Sequence, residues 1–248
     1  MKEIDFLKDL VLKASKLITS DVVVKAKDDK GDLVTNFDYE IETFINGEIK
    51  KNYPNFDIVS EEFNTNEKLT DNCFTVDPID GTINFAHGFP FYAIQVACVK
   101  NGETCAAVIY LPRFDELYWA DETGCYLNDK KIHVNNFSPD KSLYVVEGRN
   151  NLPSLVRLDK IARHYRITYC SAVNFAYIAR GIFGGTIFRH ENFWDYVPGQ
   201  YLVKQAGGYI RDEDGCHIAT NTKEFADLLY KYARSVQSDT ATATDINN

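Results

Sequence analysis

Between residues 3 and 19, apolar side chains recur at helical spacing: Ile4, Leu7, Val11, Ala14 and Ile18 share one face, widened by Leu10 and Leu17. Lys8, Asp9, Lys13 and Lys16 fall on the opposite face, so the segment reads as an amphipathic helix docked on the body of the protein. A second helical pattern spans 36–51, with Ile41, Phe44, Ile45 and Ile49 on one side. Thr35 or Asn36 supplies its N-cap, and Asp38 falls in its first turn, where a carboxylate suits the helix dipole. Between the two helices, Val22-Val23-Val24 predicts a short strand and residues 25–32 a charged, solvated loop.

The period then shortens to two. Residues 56–60 read as a strand ending in Glu61-Glu62, and Cys73-Phe74-Thr75-Val76 as another that runs into Asp77-Pro78-Ile79-Asp80-Gly81-Thr82-Ile83-Asn84-Phe85. A strongly apolar strand follows at 92–99, and the Asn101-Gly102 turn leads back along 104–111. Short strands at 116–120 and 124–127 complete an antiparallel meander. From Ser142 the pattern alternates: strand 142–147, helix 152–164, strand 166–168, helix 171–180, strand 185–188, helix 195–206. Gly207-Gly208 ends that helix, strand 209–211 follows, and 225–233 form a last helix. No internal repeat or long linker interrupts the chain. We therefore expect one compact domain over 1–234, of mixed α+β and α/β class: an antiparallel-sheet half to about 140, an α/β half from about 141 to 234, and a polar, frayed tail over 235–248.

Composition narrows the function. The 248 residues are 45% hydrophobic and 25% charged, ordinary for a globular protein. A net charge of −9 argues against a nucleic-acid binder, which needs a basic face. An acidic protein that takes an anionic substrate must overcome its own field locally, and bound cations do that. The six cysteines (Cys73, Cys98, Cys105, Cys125, Cys170, Cys216) form no Cys-x-x-Cys pair and read as buried free thiols. The five histidines show no paired spacing. The start of the chain lacks a signal-peptide pattern, and no apolar run reaches membrane-spanning length, so the expected location is the reducing cytoplasm.

The candidate chemistry sits at 77–85. Asp77 and Asp80, at the mouth of a strand and broken by Pro78 and Gly81, can converge on one point across the turn. Carboxylates crowded in this way repel unless a cation lies between them, and hard oxygen donors suit Mg²⁺, Mn²⁺ or Ca²⁺. Gly81 lets the backbone approach a ligand, and Thr82 stands where it can cap a helix or turn whose free N–H groups face an anion. The same string read alone is a polar turn. Asp38 is fully explained as a helix cap, Asp195 as the N-cap of the following helix, and Trp194 as core. Neither the calcium-loop pattern nor the Asp-x-Asp spacing of aspartyl-phosphate enzymes is present. A charged loop such as 25–32 beside a metal site offers a further ion, or a lysine, to phosphate.

Leu33-Val34-Thr35-x-x-Asp38, Glu61-Glu62, Asp77 to Phe85, Trp194-Asp195 and Ala206-Gly207-Gly208 occur in an order and spacing that resembles the inositol monophosphatase family, in the magnesium-dependent, lithium-sensitive phosphatase superfamily that includes fructose-1,6-bisphosphatase. The likeness runs from about residue 4 to 233. It implies a layered αβαβα sandwich, a homodimer, and two or three Mg²⁺ ions. Glu61, Asp77 and the Ile79 carbonyl would hold one ion, and Asp77, Asp80 and Asp195 a second, with a weaker third sharing Glu61. Ile79, Asp80, Gly81, Thr82 and Asp195 would border the substrate, with the Gly81 and Thr82 N–H groups on its phosphate. Glu61, and Thr82 ordered by Asp38, would align the attacking water; no Ser or Cys nucleophile is needed.

The chain also departs from that family. After Arg166 the usual Gly-Ser/Thr-Ala is replaced by Ile167-Thr168-Tyr169-Cys170-Ser171, so a tyrosine stands where glycine is usual. Six residues before Trp194, where a Glu reads a ring hydroxyl, stands Phe188, with Glu191 three residues closer. Tyr196-Val197-Pro198 also differs from the usual run of small residues. The expectation is a phosphatase of a small phosphomonoester, with inositol monophosphate as default and a sugar bisphosphate or NADP as alternatives. Ile83-Asn84 argues against 3′-phosphoadenosine 5′-phosphate, whose phosphatases carry Lys-Glu there. The expectation from a different class is a regulatory scaffold on this fold that binds a protein partner.

Overall fold

The computed structural model describes residues 2–27, 31–65, 68–146, 164–189 and 192–244. Helix α1 (Glu3–Ser15) leads to the hairpin strands β1 (Val24–Ala26) and β2 (Leu33–Thr35) and to helix α2 (Asn36–Asn52). A seven-stranded sheet follows, built in spatial sequence from β3 (Asp57–Ser60), β4 (Asn72–Asp80), β5 (Ala93–Lys100), β6 (Glu103–Leu111), β7 (Glu116–Asp121), β8 (Gly124–Leu127) and β9 (Lys130–Ile132). Only β3 and β4 run parallel; every other pair is antiparallel. The short helix α3 (Thr82–Ala86) interrupts the meander between β4 and β5.

The second half holds β10 (Leu143–Val146), β11 (His164–Ile167), helix α4 (Ser171–Ala179), β12 (Gly185–Phe188), helix α5 (Phe193–Gln205), β13 (Tyr209–Glu213), β14 (Cys216–Thr220) and helix α6 (Lys223–Thr244). Its sheet has the order β11-β10-β12-β14-β13.

Strand pleating dictates the layers. Along β4 and β5, Phe74, Val76, Ile94, Val96 and Cys98 face α1 and α2, while Cys73, Ala93, Ala97 and Val99 face α4 and α5. Both faces of the large sheet are therefore covered, which explains why its central strands carry nearly unbroken apolar runs. The α4–α5 layer packs in turn on the smaller sheet through Phe188, Val145 and Ala219. Helix α6 closes the outer face of that sheet with Phe225, Ala226, Leu229 and Ala233. The result is the expected αβαβα sandwich.

Several expectations shift in detail. The Val22–Val24 strand begins two residues later, because these valines are exposed and no core pins them. The strands β9 and β14 carry too few periodic residues to be read in advance, and the helix or turn expected at Thr82 is the five-residue α3. The 152–164 helix lies outside the described residues except for its last position, His164, which opens β11. The polar stretch read as a frayed tail from 235 instead continues α6 as far as Thr244. Once the packed turns of a helix exist, each added residue costs only propagation and no new nucleation.

The close approach of α4 and α5 depends on Gly199, where a Cβ would stand 2.1 Å from the Phe175 ring. We expect Gly199→Ala to lose about 1–3 kcal/mol, the usual cost of overpacking, read as a lower denaturation midpoint. Since this packing also sets the spacing of the two helix starts, substrate affinity should fall with it. A variant as stable as the wild type would show that the two helices are free to separate.

Candidate active site

Strand β4 ends in a break that makes the site. In a regular strand, residues three apart point to opposite faces, so Asp77 and Asp80 would diverge. Pro78 has no N–H for the ladder, and the pairing of β4 with β5 shifts register between Asp77 and Asp80. Both side chains enter one cavity as a result, and both are buried. Gly81 follows with φ of 85°, and a Cβ there would lie 2.9 Å from the Phe91 carbonyl, so glycine alone fits. Gly81 is the N-cap of α3 and Thr82 its first helical residue, one position away from the expected cap.

Other elements bring their residues to the same place. The parallel pairing of β3 with β4 continues through the Glu61 amide, which donates to the Val76 carbonyl at 3.2 Å, and this carries Glu61 to the mouth. Helix α5 starts at an Asn192 cap, so Asp195 sits in the first turn and does not cap it; the Asn192 amide donates to Asp195 Oδ2 at 3.1 Å. Lys27, Glu61, Asp77, Ile79, Asp80, Gly81, Thr82, Ile83, Tyr169, Asn192, Trp194 and Asp195 all border a cavity of about 410 Å³. Asp38 stands behind it. Its Oδ2 accepts from the Thr35 amide at 2.7 Å and the Thr35 hydroxyl at 2.5 Å, and its Oδ1 lies 3.1 Å from Thr82 Oγ1. Thr82 Oγ1 is also 2.9 Å from the Ile79 carbonyl, and its single proton can serve only one of the two acceptors.

Electrostatics dominate here. Burial, then repulsion from Glu61, Asp80 and Asp195, pushes the Asp77 carboxyl well above the usual carboxylate range. Burial and the charges of Asp80 and Glu61 do the same to Asp195. Glu61 is pushed up to about 7, chiefly by burial, although Lys27 pulls the other way. Asp80 rises less freely: burial raises it, while donors from Ser171 and Ala172 support its charge. Lys27 donates to Glu61 at 3.0 Å and to Glu62 at 2.5 Å. Burial works against its charge, but the two carboxylates outweigh that and raise its pKa.

As they stand, no three His, Cys, Asp or Glu side chains among the described residues are close enough to hold one ion. Each acid has a protein partner instead: Lys27 engages Glu61, Asn192 engages Asp195, and α4 engages Asp80. The donor set still fits a hard divalent cation. It consists of oxygens only, it is crowded with like charge, and buried Asp77 Oδ1 has no hydrogen-bond partner.

Three contributors were not legible as site residues. Gln95 on β5 lies opposite Asp77 and brings Nε2 within 3.2 Å of both Asp77 Oδ2 and Asp80 Oδ2; a lone amide in an apolar strand was its only signal. Glu42 on the buried face of α2 accepts from the Ser60 hydroxyl at 2.5 Å and from the amides of Glu62 and Phe63 at 2.8 and 2.9 Å, fixing the turn after Glu61. Asn84 donates to the carbonyls of Phe91 and Thr168, both at 2.7 Å. Trp194, read as core, is 5% exposed and also borders the cavity. Phe188 does not reach the cavity: it is fully buried and stacks on Phe175 at 4.8 Å. Glu191 lies outside the described residues. A larger cavity of about 730 Å³, bordered by Leu69, Val197, Tyr201 and Ile210, has only exposed acids (Asp71, Glu103, Asp212) and no comparable chemistry.

Comparison with known proteins agrees with the fold. The chain is 34% identical over 203 residues to a Thermotoga maritima fructose-1,6-bisphosphatase/inositol-1-monophosphatase, covering 78% of this chain and 77% of that protein. It is 32% identical over 216 residues to the Nus factor SuhB of Xylella fastidiosa, covering 81% and 75%. A solved Thermotoga maritima IMPase superposes with a TM-score of 0.84 at 30% identity, over 94% of this chain and 98% of that one. The model of the inositol monophosphatase family matches residues 3–243. The chain belongs to the inositol monophosphatase family and is, by that membership, a phosphatase.

Proposed function

We propose that this protein hydrolyses a small phosphomonoester by direct attack of water, with Mg²⁺ held by Glu61, Asp77, Asp80, Asp195 and the Ile79 carbonyl. The observation that carries the reading is the convergence of four carboxylates, two buried (Asp77, Asp80) and two half-buried (Glu61, Asp195), on one cavity at a glycine-opened turn. The chemistry supplied by bound divalent cations is charge neutralisation on the phosphate and a lowered pKa of water. The chain does the rest. Gly81 and Thr82 present first-turn N–H groups, which have no partner within their own helix, to phosphate oxygens. Helix α3 has only five residues, so these act as individual donors more than through a macrodipole. With its proton given to Asp38, the Thr82 hydroxyl turns its lone pairs outward and can accept from the attacking water. Lys27 is the cationic side chain among the described lining residues, and on leaving Glu61 and Glu62 it can pair with substrate phosphate.

Myo-inositol monophosphate is the reference substrate, with fructose 1,6-bisphosphate and NADP as alternatives. The name of the Xylella relative, a Nus factor, supports a second reading in which the fold binds a protein partner. Phosphate release from these three substrates, with and without Mg²⁺, separates the two. We expect Mg²⁺-dependent release from at least one; no release from any favours the partner-binding role.

Asp77→Asn removes the carboxylate placed between the others. Turnover should fall by more than the roughly 100-fold that loss of an outer-shell metal partner costs, in a protein with an unchanged circular dichroism spectrum. Activity close to wild type would overturn the metal assignment.

The same charges govern stability. Glu61 titrates near 4.5 when unfolded and near 7 when folded, and Asp77 and Asp195 shift in the same direction. The folded protein therefore holds more protons across that interval, unfolding releases them, and rising pH favours unfolding. In chelator, the melting temperature should fall from about pH 5 to about pH 7, and millimolar Mg²⁺ should restore most of it at the upper end. A melting temperature that rises through the interval in chelator would contradict this account.

A further inference from the structure

Five described non-glycine residues have positive φ, and four of them are Asn101, Asp115, Asn128 and Asp214. Asn and Asp tolerate this region through local hydrogen bonds. The fifth is Tyr169, with φ of 53°, a bulky side chain in a conformation that glycine adopts without strain. The surrounding bonds leave it no alternative. Asn84 Nδ2 donates to the Thr168 carbonyl and lies 3.4 Å from that of Tyr169, and the Cys170 amide returns to Thr168 Oγ1 at 3.3 Å. That turn is what delivers the Ser171 and Ala172 amides to Asp80. The backbone geometry is thus explained, but a glycine would serve it better. What glycine cannot supply is the ring.

Tyr169 is 47% exposed, and it borders the same cavity as the carboxylates. Ile83, 40% exposed, borders it as well, from the turn that follows Gly81. The Tyr169 carbonyl lies 3.4 Å from the Cβ position of Gly81, which places this residue beside the proposed phosphate end. Phe188, which stands where a hydroxyl-reading carboxylate is expected, is turned into the core. An aromatic ring and an aliphatic side chain are gained at the cavity, and a group that reads sugar hydroxyls is absent from that position.

We propose that Tyr169 is a specificity-determining residue whose ring, with Ile83, packs on a leaving group with a flat, apolar face, so that aryl and nucleoside phosphomonoesters are preferred over polyol phosphates. The inference rests on the phosphatase reading above and names its substrate class. Stacking of a base or aryl ring on an exposed aromatic side chain has the magnitude needed for such a preference. Strain in an over-determined backbone at a ligand clamp is the expected accompaniment.

The test compares wild type, Tyr169→Gly and Tyr169→Phe on phenyl phosphate, 2′-AMP and myo-inositol 1-phosphate, all with Mg²⁺. Intrinsic reactivity cancels between variants, so the readout is the ratio of kcat/KM for each ring substrate to that for the inositol ester. The ratio should fall about tenfold in Tyr169→Gly, mainly through KM, and hold in Tyr169→Phe. Tyr169→Gly should also melt no lower than wild type, because glycine relieves the backbone. Equal changes on all three substrates, or a Tyr169→Phe that behaves like Tyr169→Gly, would overturn the ring's role. If wild type hydrolyses none of them, the phosphatase reading is decided by phosphate release from fructose 1,6-bisphosphate and NADP. The inference is then decided by calorimetry on Ca²⁺-loaded protein: selective loss of phenyl phosphate binding over inorganic phosphate in Tyr169→Gly upholds it, and equal affinities overturn it.

Discussion

Four carboxylates around one cavity repel one another, and the molecule is arranged around that repulsion. Asp77 feels it most: it is 1% exposed, faces Glu61, Asp80 and Asp195, and has one oxygen with no protein partner. A hydrophobic core would gain nothing from such a group. Everything adjacent to it either dilutes its charge or holds the others at a fixed distance. Gln95 offers one amide to two of the carboxylates, α4 turns two backbone amides on Asp80, and Lys27 neutralises the outer pair Glu61 and Glu62. These contacts moderate the repulsion without removing it, and the residual cost is what a divalent cation would relieve.

Holding four acids together takes elements from distant parts of the chain. The large sheet supplies Asp77, Asp80 and Gln95 from neighbouring strands, with β3 adding Glu61. The helical layer supplies Asp195 and the amides that engage Asp80. Ser171 Oγ lies 2.6 Å from Asp80 Oδ2 and 2.8 Å from the Asp195 carbonyl, so one hydroxyl ties the sheet to the α5 start. Gly199 lets the two helices come near enough for that. Glu42 has the same kind of task on the opposite side, where its carboxylate gathers the turn that carries Glu61. The packing of the sandwich and the geometry of the site are therefore one problem.

The sequence disclosed what is local. The Asp77–Phe85 string announces its break through Pro78 and Gly81, and the apolar runs of β4 to β6 announce a sheet covered on both sides. The meeting of Asp77 with Asp80 is legible in the turn itself, but that of Glu61 and Asp195 with them is legible only through family resemblance, because no periodicity links elements so far apart in the chain. Gln95, Glu42 and Asn84 escaped for a related reason: each acts through a partner set by strand register or helix packing, and its own neighbourhood is unremarkable. An acid before a helix is ordinarily its cap, which is what the sequence predicts for Asp195; Asn192 caps that helix three residues earlier. Polarity alone predicts a frayed end from 235, while the helix anchored by Phe225 and Leu229 runs on to Thr244.

Chemistry and selectivity occupy different parts of the site. The groups suited to act on phosphate come from strand ends and helix starts, where backbone hydrogen bonding fixes them and few substitutions are tolerated. The groups that face a leaving group, Tyr169 and Ile83, project from a turn and from the exposed side of a five-residue helix. They can change without disturbing the carboxylates, provided the backbone of that turn keeps delivering its amides to Asp80. Tyr169 shows the arrangement at its limit. Its backbone belongs to the turn that supports the acid cluster, the residue itself is half exposed at the cavity, and the strain between the two is borne by a single residue.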